Sequence, residues 1–291
     1  MKISSKYLYW TIVILLVANV AVFFAIEKDR PSNILKVSFL DVGQGDAIFI
    51  ESPTGNQILL DGGPGKQVLR SISKMMPFYD SSLDLIINSH PHPDSDHLAG
   101  LNDILARFDV VGVIEPAKTL PKADYKQFAS VIALKKEKIW PDLAGTKLDL
   151  GGGATLEILY PKSTSSIQYF DTNDSSLVIK LTYKNKSFLL AGDISSRAEN
   201  ILVQTIPGEL KASVFKATHH GSKYSNTLDF LEKVQPEAIA ISVGAKNTYG
   251  HPSPEALSNF AKIGAPVYRT DQCGTIVFET DGEELGNYCI K

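Results

Sequence analysis

The sequence predicts an α/β protein in which two β-sheets pack together with helices outside them, preceded by one apolar N-terminal helix. Three observations predict this class. Each half of the chain contains several strand-like runs followed by helical runs. All six histidines fall in three short clusters, each just past a predicted strand. Residues 7–26 form an uncharged run of twenty residues near the N-terminus.

The N-terminal run predicts a membrane anchor. It is long enough to cross the roughly 30 Å hydrocarbon core as a helix, and Lys2 and Lys6 precede it. The positive-inside rule then predicts a cytoplasmic N-terminus and an extracytoplasmic remainder. A cleaved signal peptide is the alternative, but the run is long for one and no clear cleavage site follows. We therefore expect a cytoplasmic N-terminus, single-pass anchor and linker in residues 1–30, and one extracytoplasmic domain in residues 31–291.

Composition excludes one functional class. The chain of 291 residues is 44% hydrophobic and 21% charged, as is typical of a folded protein, and its net charge is −3. The first 26 residues carry two basic residues and no acidic one, so the rest is more acidic still. A strongly basic nucleic-acid footprint is therefore absent. This argues against tight passive binding of DNA, but not against a metal-assisted enzyme that acts on it.

The first half of the predicted domain begins with three strands at 34–42, 46–52 and 56–63, separated by turns rich in Gly, Asp and Pro. Residues 83–90 form a nearly continuous apolar strand, the pattern of a strand buried on both faces. A helix is expected at 98–108, followed by another strand. Residues 118–145 are less regular and predict helix plus loop.

The second half repeats the alternation of strands and helices without repeating the sequence. Strands are predicted in "ATLEILYP", "SSLVIKLTY", "KSFLLAGD", "ASVFKATHH" and "EAIAISVG". Ser196 and Glu199 have the spacing of a capping box for a helix that runs to about Gln204. Another helix is expected in "SNTLDFLEKV", and a last one starts at the Ser253–Pro254 pair.

Two cysteines, Cys273 and Cys289, flank a predicted hairpin whose turn is Asp281–Gly282. Folding about that turn brings the cysteines nearly opposite one another. We expect a disulfide, which suits an extracytoplasmic location; two unrelated buried thiols are the alternative.

The stretch "SHPHPDSDHLAG" (89–100) is a candidate metal motif in two registers, one starting at His90 and one at His92. Asp193 adds a carboxylate at the end of an apolar strand, although a helix-capping role is the alternative. Imidazole and carboxylate ligands suit zinc, manganese or iron. Two such ions bridged by a carboxylate can hold and deprotonate a water molecule.

A series of motifs runs through the chain in a fixed order: "FLDVGQGDAIFI" (39–50), "ILLDGG" (58–63), "HPDSDHLAG" (92–100), "NDSSLVIKL" (173–181), "LLAGD" (189–193), "ATHHGS" (217–222), "YGHPSPEAL" (249–257) and "YRTDQCGTI" (268–276). In this order they resemble the metallo-β-lactamase superfamily and, within it, the extracellular hydrolase domain of ComEC-type DNA-uptake proteins. The resemblance covers about residues 35–281, and "DVGQGDA" together with "HHGS" separates this branch from ordinary β-lactamases. It implies an αββα metallo-β-lactamase sandwich with metals at one edge of the two sheets, here preceded by one N-terminal transmembrane helix.

The resemblance also implies a ligand set of one or two divalent ions, zinc or manganese. The branch uses an H-x-D-x-D-H variant of the superfamily motif, which selects the register that starts at His92 and leaves His90 without a ligand role. In that assignment His92 and Asp94 hold the first metal, and Asp193 bridges the two. The second metal takes Asp96, His97 and His219.

The remaining family-implied residues surround these ligands. His220 and His251 are the expected catalytic groups, although a structural histidine capping a turn is the alternative for His251. Substrate contacts are expected from Ser222 and Lys223. For Lys223 the alternative is an ordinary loop lysine exposed to solvent. The carboxylates expected to support the ligands are Asp41, Asp46 and Asp61.

One departure from the family pattern concerns the first metal. Many members supply another histidine between the main motif and the bridging aspartate, and this chain has none there. Asn173 or Asp174 is the candidate substitute, or the first site is weakly occupied. An oxygen-rich site would shift preference toward manganese or a similar hard cation.

These features predict a membrane-anchored, extracytoplasmic hydrolase that cleaves phosphodiesters with metal-activated hydroxide and degrades one DNA strand during uptake. The expected partners are the membrane, through the N-terminal helix, DNA as substrate, and a separately encoded uptake channel. Hydrolysis of another ester or a lactone is the first alternative. A non-catalytic surface module that keeps a structural metal is the second.

Overall fold

The computed structural model describes residues 5–28, 32–89, 95–116, 123–135, 138–140, 143–162 and 173–291. Within these residues the helices are α1 (Ser5–Lys28), α2 (Gln67–Ile72), α3 (Ser95–Leu105), α4 (Ala123–Lys135), α5 (Ser196–Thr205), α6 (Leu228–Val234), α7 (Pro254–Ile263) and α8 (Thr270–Cys273). Two short 3₁₀ turns occur at Asn173–Ser175 and Thr218–Gly221.

The predicted strands are present, most with shorter bounds, and three further strands at 138–140, 147–151 and 267–269 were not predicted. In chain order the strands are β1 (Leu35–Phe39), β2 (Ile48–Glu51), β3 (Gln57–Leu60), β4 (Ser82–Ile87), β5 (Asp109–Ile114), β6 (Lys138–Trp140), β7 (Lys147–Gly151), β8 (Ala154–Tyr160), β9 (Val178–Tyr183), β10 (Lys186–Leu190), β11 (Val214–Lys216), β12 (Ala238–Ile241), β13 (Val267–Arg269), β14 (Thr275–Thr280) and β15 (Leu285–Ile290).

These strands form two mixed sheets. The first has the order β15-β14-β1-β2-β3-β4-β5-β6, and the second has the order β13-β12-β11-β10-β9-β8-β7. Strands β3 to β6 are parallel in the first sheet, and β10 to β13 are parallel in the second. Because parallel neighbours end at the same edge, the loops that follow β3, β4, β10 and β11 can bring side chains together there.

Three hydrophobic clusters show how the layers stack. One lies between the sheets, a second lies between the second sheet and helices α5 to α7, and a third lies between the first sheet and α2 to α4. Strand β10 shows the two-residue period behind this arrangement: Phe188 and Leu190 face the other sheet, whereas Leu189 faces the helices. The predicted α/β class with two packed sheets and outer helices is therefore confirmed.

The N-terminal segment is helical over Ser5–Lys28. Within the described part of the chain, no helix is both long and apolar enough to cross a membrane, so the predicted transmembrane anchor is not supported. The division at residue 30 and the extracytoplasmic location stay predictions.

Two local predictions change. The helix expected at 98–108 is α3 and begins earlier, at Ser95. The capping box expected at Ser196 and Glu199 is wrong, because Ser195 is the N-cap and its side chain accepts a hydrogen bond from the backbone N–H of Arg197. The carboxylate of Glu199 turns inward instead, to hydrogen-bond the loop before α6.

The C-terminal hairpin pairs β14 with β15 about the turn at Asp281–Gly282. A disulfide joins Cys273 to Cys289, with Cα atoms 5.5 Å apart. It ties the end of α8 to the outermost strand of the first sheet.

Candidate metal centre

Four buried side chains form a cluster at one edge of the sheets: Asp46, His97, Asp193 and His220. One ligand atom from each lies within 4.8 Å of those of the other three. Asp46 precedes β2, His97 lies in the first turn of α3, Asp193 follows β10 and His220 follows β11. Two imidazoles and two carboxylates are ligands that divalent transition metals accept. We call these four residues the central cluster.

The central cluster has buried polar atoms that fit a cation. Among the described residues, His220 Nε2 and Asp193 Oδ1 are buried without a hydrogen-bond partner. Buried polar atoms are rarely left unpaired, and a divalent ion would satisfy both. The residues present therefore fit a metal ion, and the buried cluster supports use of a divalent metal.

Glycines allow the loops around Asp46 and His97 to meet. A Cβ on Gly45 would collide with the backbone oxygen of Asp96, and the backbone N–H of Asp46 donates to that same oxygen at 3.1 Å. The N–H of Gly62 donates to the carbonyl of His97 at 2.7 Å. These close approaches explain why the chain has glycine in "DVGQGDA" and "LLDGG".

Asp61 orients His97. Its Oδ2 accepts a hydrogen bond from His97 Nδ1 at 2.9 Å, and its carboxylate also accepts from the N–H and hydroxyl of Ser89 at 2.8 and 2.5 Å. His97 Nε2 then faces Asp193 Oδ2 at 3.3 Å. Burial opposes protonation of His97, but the Asp193 and Asp61 carboxylates outweigh it and raise the pKa of this imidazole well above its usual range.

Asp193 is the point on which the imidazoles converge. Its Oδ2 lies 3.3 Å from His97 Nε2, 3.7 Å from His220 Nε2 and 3.9 Å from His219 Nε2. Burial raises the pKa of Asp193, but the neighbouring histidines and Lys216 lower it well below the ordinary range. The side chain is therefore an anionic acceptor at the centre of the cluster.

The two histidines of the pair differ in burial. His219 and His220 both have left-handed conformations, with φ of 49° and 55°, which only a few per cent of non-glycine residues adopt. His220 Nδ1 lies 2.9 Å from the carbonyl of Ser242, so its Nε2 faces the cluster. His220, the predicted catalytic group, is thus buried in the cluster, while His219, the predicted ligand, is half-buried at its rim.

Lys216 is a buried cation that the sequence reasoning missed. Its side chain is 1% exposed, and its Nζ lies 2.5 Å from Asp46 Oδ2 and 3.9 Å from Asp193 Oδ1. It also donates to the carbonyls of Gly192 and Ala217 at 3.2 and 3.4 Å. Burial lowers the pKa of Lys216, but the two aspartates outweigh this and raise it. The only sequence signal was a lysine inside the apolar strand that leads to the histidine pair.

Asp46 was expected to support the ligands, but the structure brings its carboxylate into the central cluster. Burial opposes its ionisation, yet Lys216, His220 and His97 lower the pKa of this carboxyl. Asp46 therefore has two possible cationic partners, the ammonium of Lys216 and a metal ion.

The other predicted ligands lie outside the central cluster or outside the described residues. His92 and Asp94, like His90, fall in residues 90–94, which are not among those described. Asp96 is partly exposed, and its Oδ2 lies 3.9 Å from His220 Nε2.

The two candidates for the missing histidine differ in position. Asn173 lines the cavity over the central cluster. Asp174 is buried, and its carboxylate accepts a hydrogen bond from the N–H of Ser195 at 2.8 Å. Its carboxylate thus helps hold the start of α5, and Asn173 is the better placed of the two.

Three predicted polar residues make local contacts. Asp41 is exposed and accepts a hydrogen bond from the N–H of Gly43 at 3.2 Å, which closes its own turn. Ser222 is buried, and its hydroxyl accepts from the N–H of Tyr224 at 3.2 Å. Lys223 is exposed, with its Nζ 4.9 Å from the centre of the Tyr224 ring. Their predicted roles stay predictions.

A cavity of about 390 Å³ opens over the central cluster, and Asp96, His97, Asp193, His219, His220 and His251 are among its lining residues. The ring of His251 stacks on Tyr249 and meets the ring of His219 edge to face, with centres 5.7 Å apart. Burial, together with the charges of His220 and His219, lowers the pKa of His251 to about 4. His251 is therefore neutral near pH 7, which suits a hydrogen-bonding role more than proton donation.

Glu199 holds the loop that carries the histidine pair, and sequence reasoning assigned it only to helix capping. Its carboxylate accepts hydrogen bonds from the N–H of Asn226 at 2.6 Å and from the hydroxyls of Thr218 and Thr227 at 2.9 and 2.8 Å. The Asn226 side chain in turn accepts from the N–H of Thr218 at 3.0 Å. This network fixes the residue that directly precedes His219.

Comparisons of sequence place these features in a family. The profile of the metallo-beta-lactamase superfamily matches residues 40–244. ComE operon protein 3 of Bacillus subtilis (strain 168) is 26% identical over 260 residues, covering 84% of this chain and 33% of that protein. Competence protein ComA of Neisseria gonorrhoeae is 28% identical over 253 residues, covering 85% of this chain and 33% of that protein. The chain thus spans about a third of the length of these relatives.

Comparisons of structure agree on the fold. The metallo-beta-lactamase fold protein YhfI from Bacillus subtilis matches with a TM-score of 0.56 at 14% identity, covering 85% of this chain and 99% of that one. The metallo hydrolase Igni18 from Ignicoccus hospitalis matches with a TM-score of 0.52 at 14% identity, covering 89% of this chain and all of that one (100%). At these identities the likeness concerns the fold alone. Because the family profile extends over most of the two-sheet domain, the chain belongs to the metallo-beta-lactamase superfamily, and its similarity to the competence proteins relates it to them within that superfamily.

Proposed function

We propose that this superfamily hydrolase is a metal-dependent phosphodiesterase that cleaves single strands of nucleic acid. The observation that carries the proposal is the central cluster, in which two carboxylates and two imidazoles meet beneath an open cavity. A purely structural metal site would be closed by its protein ligands, whereas a catalytic one keeps a position open to substrate.

Some of the described residues would bind the metal at such a site, and others would orient those ligands. Asp193, His97 and His220 would hold a divalent ion, together with the predicted ligands that lie outside the described residues. When bound, that ion supplies Lewis-acid activation of a phosphoryl oxygen and makes a water molecule a better nucleophile. Asp61 and the carbonyl of Ser242 keep His97 and His220 turned toward it.

The residues at the mouth of the cavity would contact the substrate. His251 is neutral and half-buried there, with a buried Nδ1 that has no hydrogen-bond partner among the described residues. Asn173 also lines this cavity and places a polar, uncharged group beside the cluster. Both can hydrogen-bond a phosphodiester without adding negative charge near it.

Two features favour phosphodiesters over other esters. The carboxylates of the central cluster make it richer in oxygen ligands than a site of imidazoles alone, which suits hard cations such as manganese. One of the two relatives is a competence protein by name, and the sequence motifs resemble the DNA-uptake branch. A separately encoded channel stays a prediction from that resemblance.

The test is hydrolysis of bis-p-nitrophenyl phosphate and of a single-stranded oligonucleotide, with and without added manganese or zinc. We expect metal-dependent cleavage that falls by at least about a hundredfold in Asp193→Ala and His97→Ala. Glu232→Ala, which changes an exposed carboxylate on α6, is the control and should match the parent protein. Equal rates in the Asp193 variant and the parent would overturn the proposal, as would turnover of a lactone panel with no turnover of phosphodiesters.

A further inference from the structure

A second cavity lies beside the central cluster and has aromatic walls. It measures about 410 Å³, and Tyr224, Tyr249, Lys223, His219 and His251 are among its lining residues. Tyr249, His219 and His251 also line the cavity over the cluster, so the two spaces share a wall. The two cavities are therefore adjacent.

The two tyrosines of this cavity are unusually accessible. Tyr224 is 65% exposed and Tyr249 is 68% exposed. A large aromatic ring in water gains by covering its face. The Lys223 ammonium lies 4.9 Å from the centre of the Tyr224 ring, which places a cation beside one of the aromatic surfaces.

A chain of ring contacts links Tyr249 to the central cluster. Tyr249 and His251 stack with an interplanar angle of 15° and ring centres 5.9 Å apart. His251 meets His219 at 5.7 Å, and His219 Nε2 lies 3.9 Å from Asp193 Oδ2. The aromatic wall is therefore held in place and begins only two side chains from the proposed point of reaction.

We propose that this second cavity is a base-stacking subsite, in which a nucleobase next to the scissile phosphate packs on Tyr249 and Tyr224. The inference rests on the proposed phosphodiesterase function. Every base has an aromatic face, so exposed aromatic rings bind single strands with little sequence preference. Lys223 supplies a cation for the neighbouring phosphate.

The charge of the protein supports stacking as the main source of affinity. The chain has a net charge of −3 and no strongly basic footprint, so counterion release on strand binding is small. A strand must then be held by the metal site and by its bases. The subsite predicts binding that depends on the base and weakly on salt.

The test compares two phosphodiesters that release the same leaving group. Thymidine 5′-p-nitrophenyl phosphate carries a base, and methyl p-nitrophenyl phosphate carries none. In the full metal-loaded protein we expect Tyr249→Leu and Tyr224→Leu to raise KM for the thymidine substrate by about tenfold with little change in kcat. Tyr249→Phe, which keeps the ring, should restore the parent KM. The methyl substrate has no base to stack, so the ratio of the two KM values, thymidine substrate over methyl substrate, should rise in both leucine variants.

Tyr288→Leu is the matched control, because Tyr288 is an exposed tyrosine on β15, the outermost strand of the first sheet. If both substrates are cleaved but the tyrosine variants leave the KM for the thymidine substrate unaltered, the subsite is overturned and the phosphodiesterase proposal stands. If the parent cleaves neither substrate, the phosphodiesterase proposal fails.

If the parent cleaves neither substrate, a binding measurement tests whether the subsite exists. Fluorescence anisotropy would compare oligothymidylate with an abasic strand of equal length at several salt concentrations. Tighter binding of the strand with bases, lost in Tyr249→Leu, supports the subsite. Equal binding of the two strands, or no effect of the substitution, overturns it.

Discussion

Lys216 and Asp46 form a buried ion pair beside the proposed metal position, with Nζ 2.5 Å from Oδ2 and both side chains 1% exposed. The lysine lies in a central strand of the second sheet, and the aspartate precedes a strand of the first. The pair therefore joins the two sheets at the edge where the central cluster forms. It also gives the carboxylate of Asp46 a positive partner that belongs to the protein itself.

Removal of the lysine should make stability depend on metal. In Lys216→Met the buried carboxylate of Asp46 loses its partner, which should lower the free energy of unfolding by about 3–5 kcal/mol in metal-free protein. Added manganese or zinc should recover part of that loss, because a bound cation can take the place of the ammonium. Urea unfolding with and without metal measures both effects.

Lys186→Met is the control for this experiment, since Lys186 pairs with Glu237, whose side chain is 52% exposed, at 2.8 Å. That change should cost about 1 kcal/mol or less, with no dependence on metal. A metal-free Lys216→Met protein as stable as the parent would contradict the assigned role of the buried pair.

Two glycines of one loop should respond differently to alanine. Gly43 has φ of +81° and open space around its Cα, so Gly43→Ala meets only backbone strain, of about 1–2 kcal/mol. In Gly45→Ala the new Cβ would in addition collide with the backbone oxygen of Asp96. We expect a loss of about 3 kcal/mol or more there, and weaker metal binding because Asp46 follows directly. Thermal unfolding and metal titration test this; equal losses at both positions would refute it.

Glu199 should affect metal binding from a distance. The N–H groups of Asn226 and Thr227 donate to different oxygens of Glu199. Glu199→Gln keeps one acceptor oxygen and replaces the other with an amide NH2, so one of the two N–H groups loses its acceptor. We expect about 2 kcal/mol less stability and weaker metal affinity, because the loop with His219 and His220 loosens. Calorimetric titration with zinc measures the affinity, and Glu232→Gln on the exposed side of α6 is the control. Lower stability with unchanged affinity would show that the loop keeps its position without this carboxylate.

Metal affinity should rise with pH through the titration of His97. Folding raises the pKa of this imidazole well above the ordinary 6.5, so in metal-free protein its protonated form stabilises the fold below pH 6.5, and this contribution disappears as the pH rises through the raised value. A metal ligand must be the neutral imidazole, so proton and metal compete.

The Asp193 carboxylate changes stability with pH in the opposite direction to His97. Asp193 has a pKa well below its ordinary 3.8, so its contribution is present above pH 3.8 and is lost as the pH falls through the lowered value. The free energy of unfolding of metal-free protein should therefore decrease above pH 6.5, because His97 loses its proton there. His97→Gln should make the free energy of unfolding less dependent on pH in that range. Zinc affinity that is constant between pH 6 and pH 9 would contradict the competition between proton and metal.

Sequence periodicity was sufficient for the layers of the fold. The apolar run Phe188, Leu189 and Leu190 indicates a strand that is covered on both faces. Such a strand needs a layer on each side, and in this fold the layers are the other sheet and the outer helices. The hairpin turn at Asp281–Gly282 was equally local, and it brought Cys273 within reach of Cys289. Such features depend on residues close in the chain, so they can be predicted without the fold.

The sequence by itself determined that His97 and Asp193 lie in segments that follow predicted strands, with carboxylates and imidazoles in sufficient number for a metal site. Only the tertiary structure decided the rest of the central cluster. His220 Nδ1 lies against the carbonyl of Ser242, which turns its Nε2 toward the cluster, whereas His219 lies at the rim. The packing of one sheet on the other buries Lys216 against Asp46. A buried charge is tolerated only beside its partner, and that partner comes from a distant part of the chain, which no local pattern reveals.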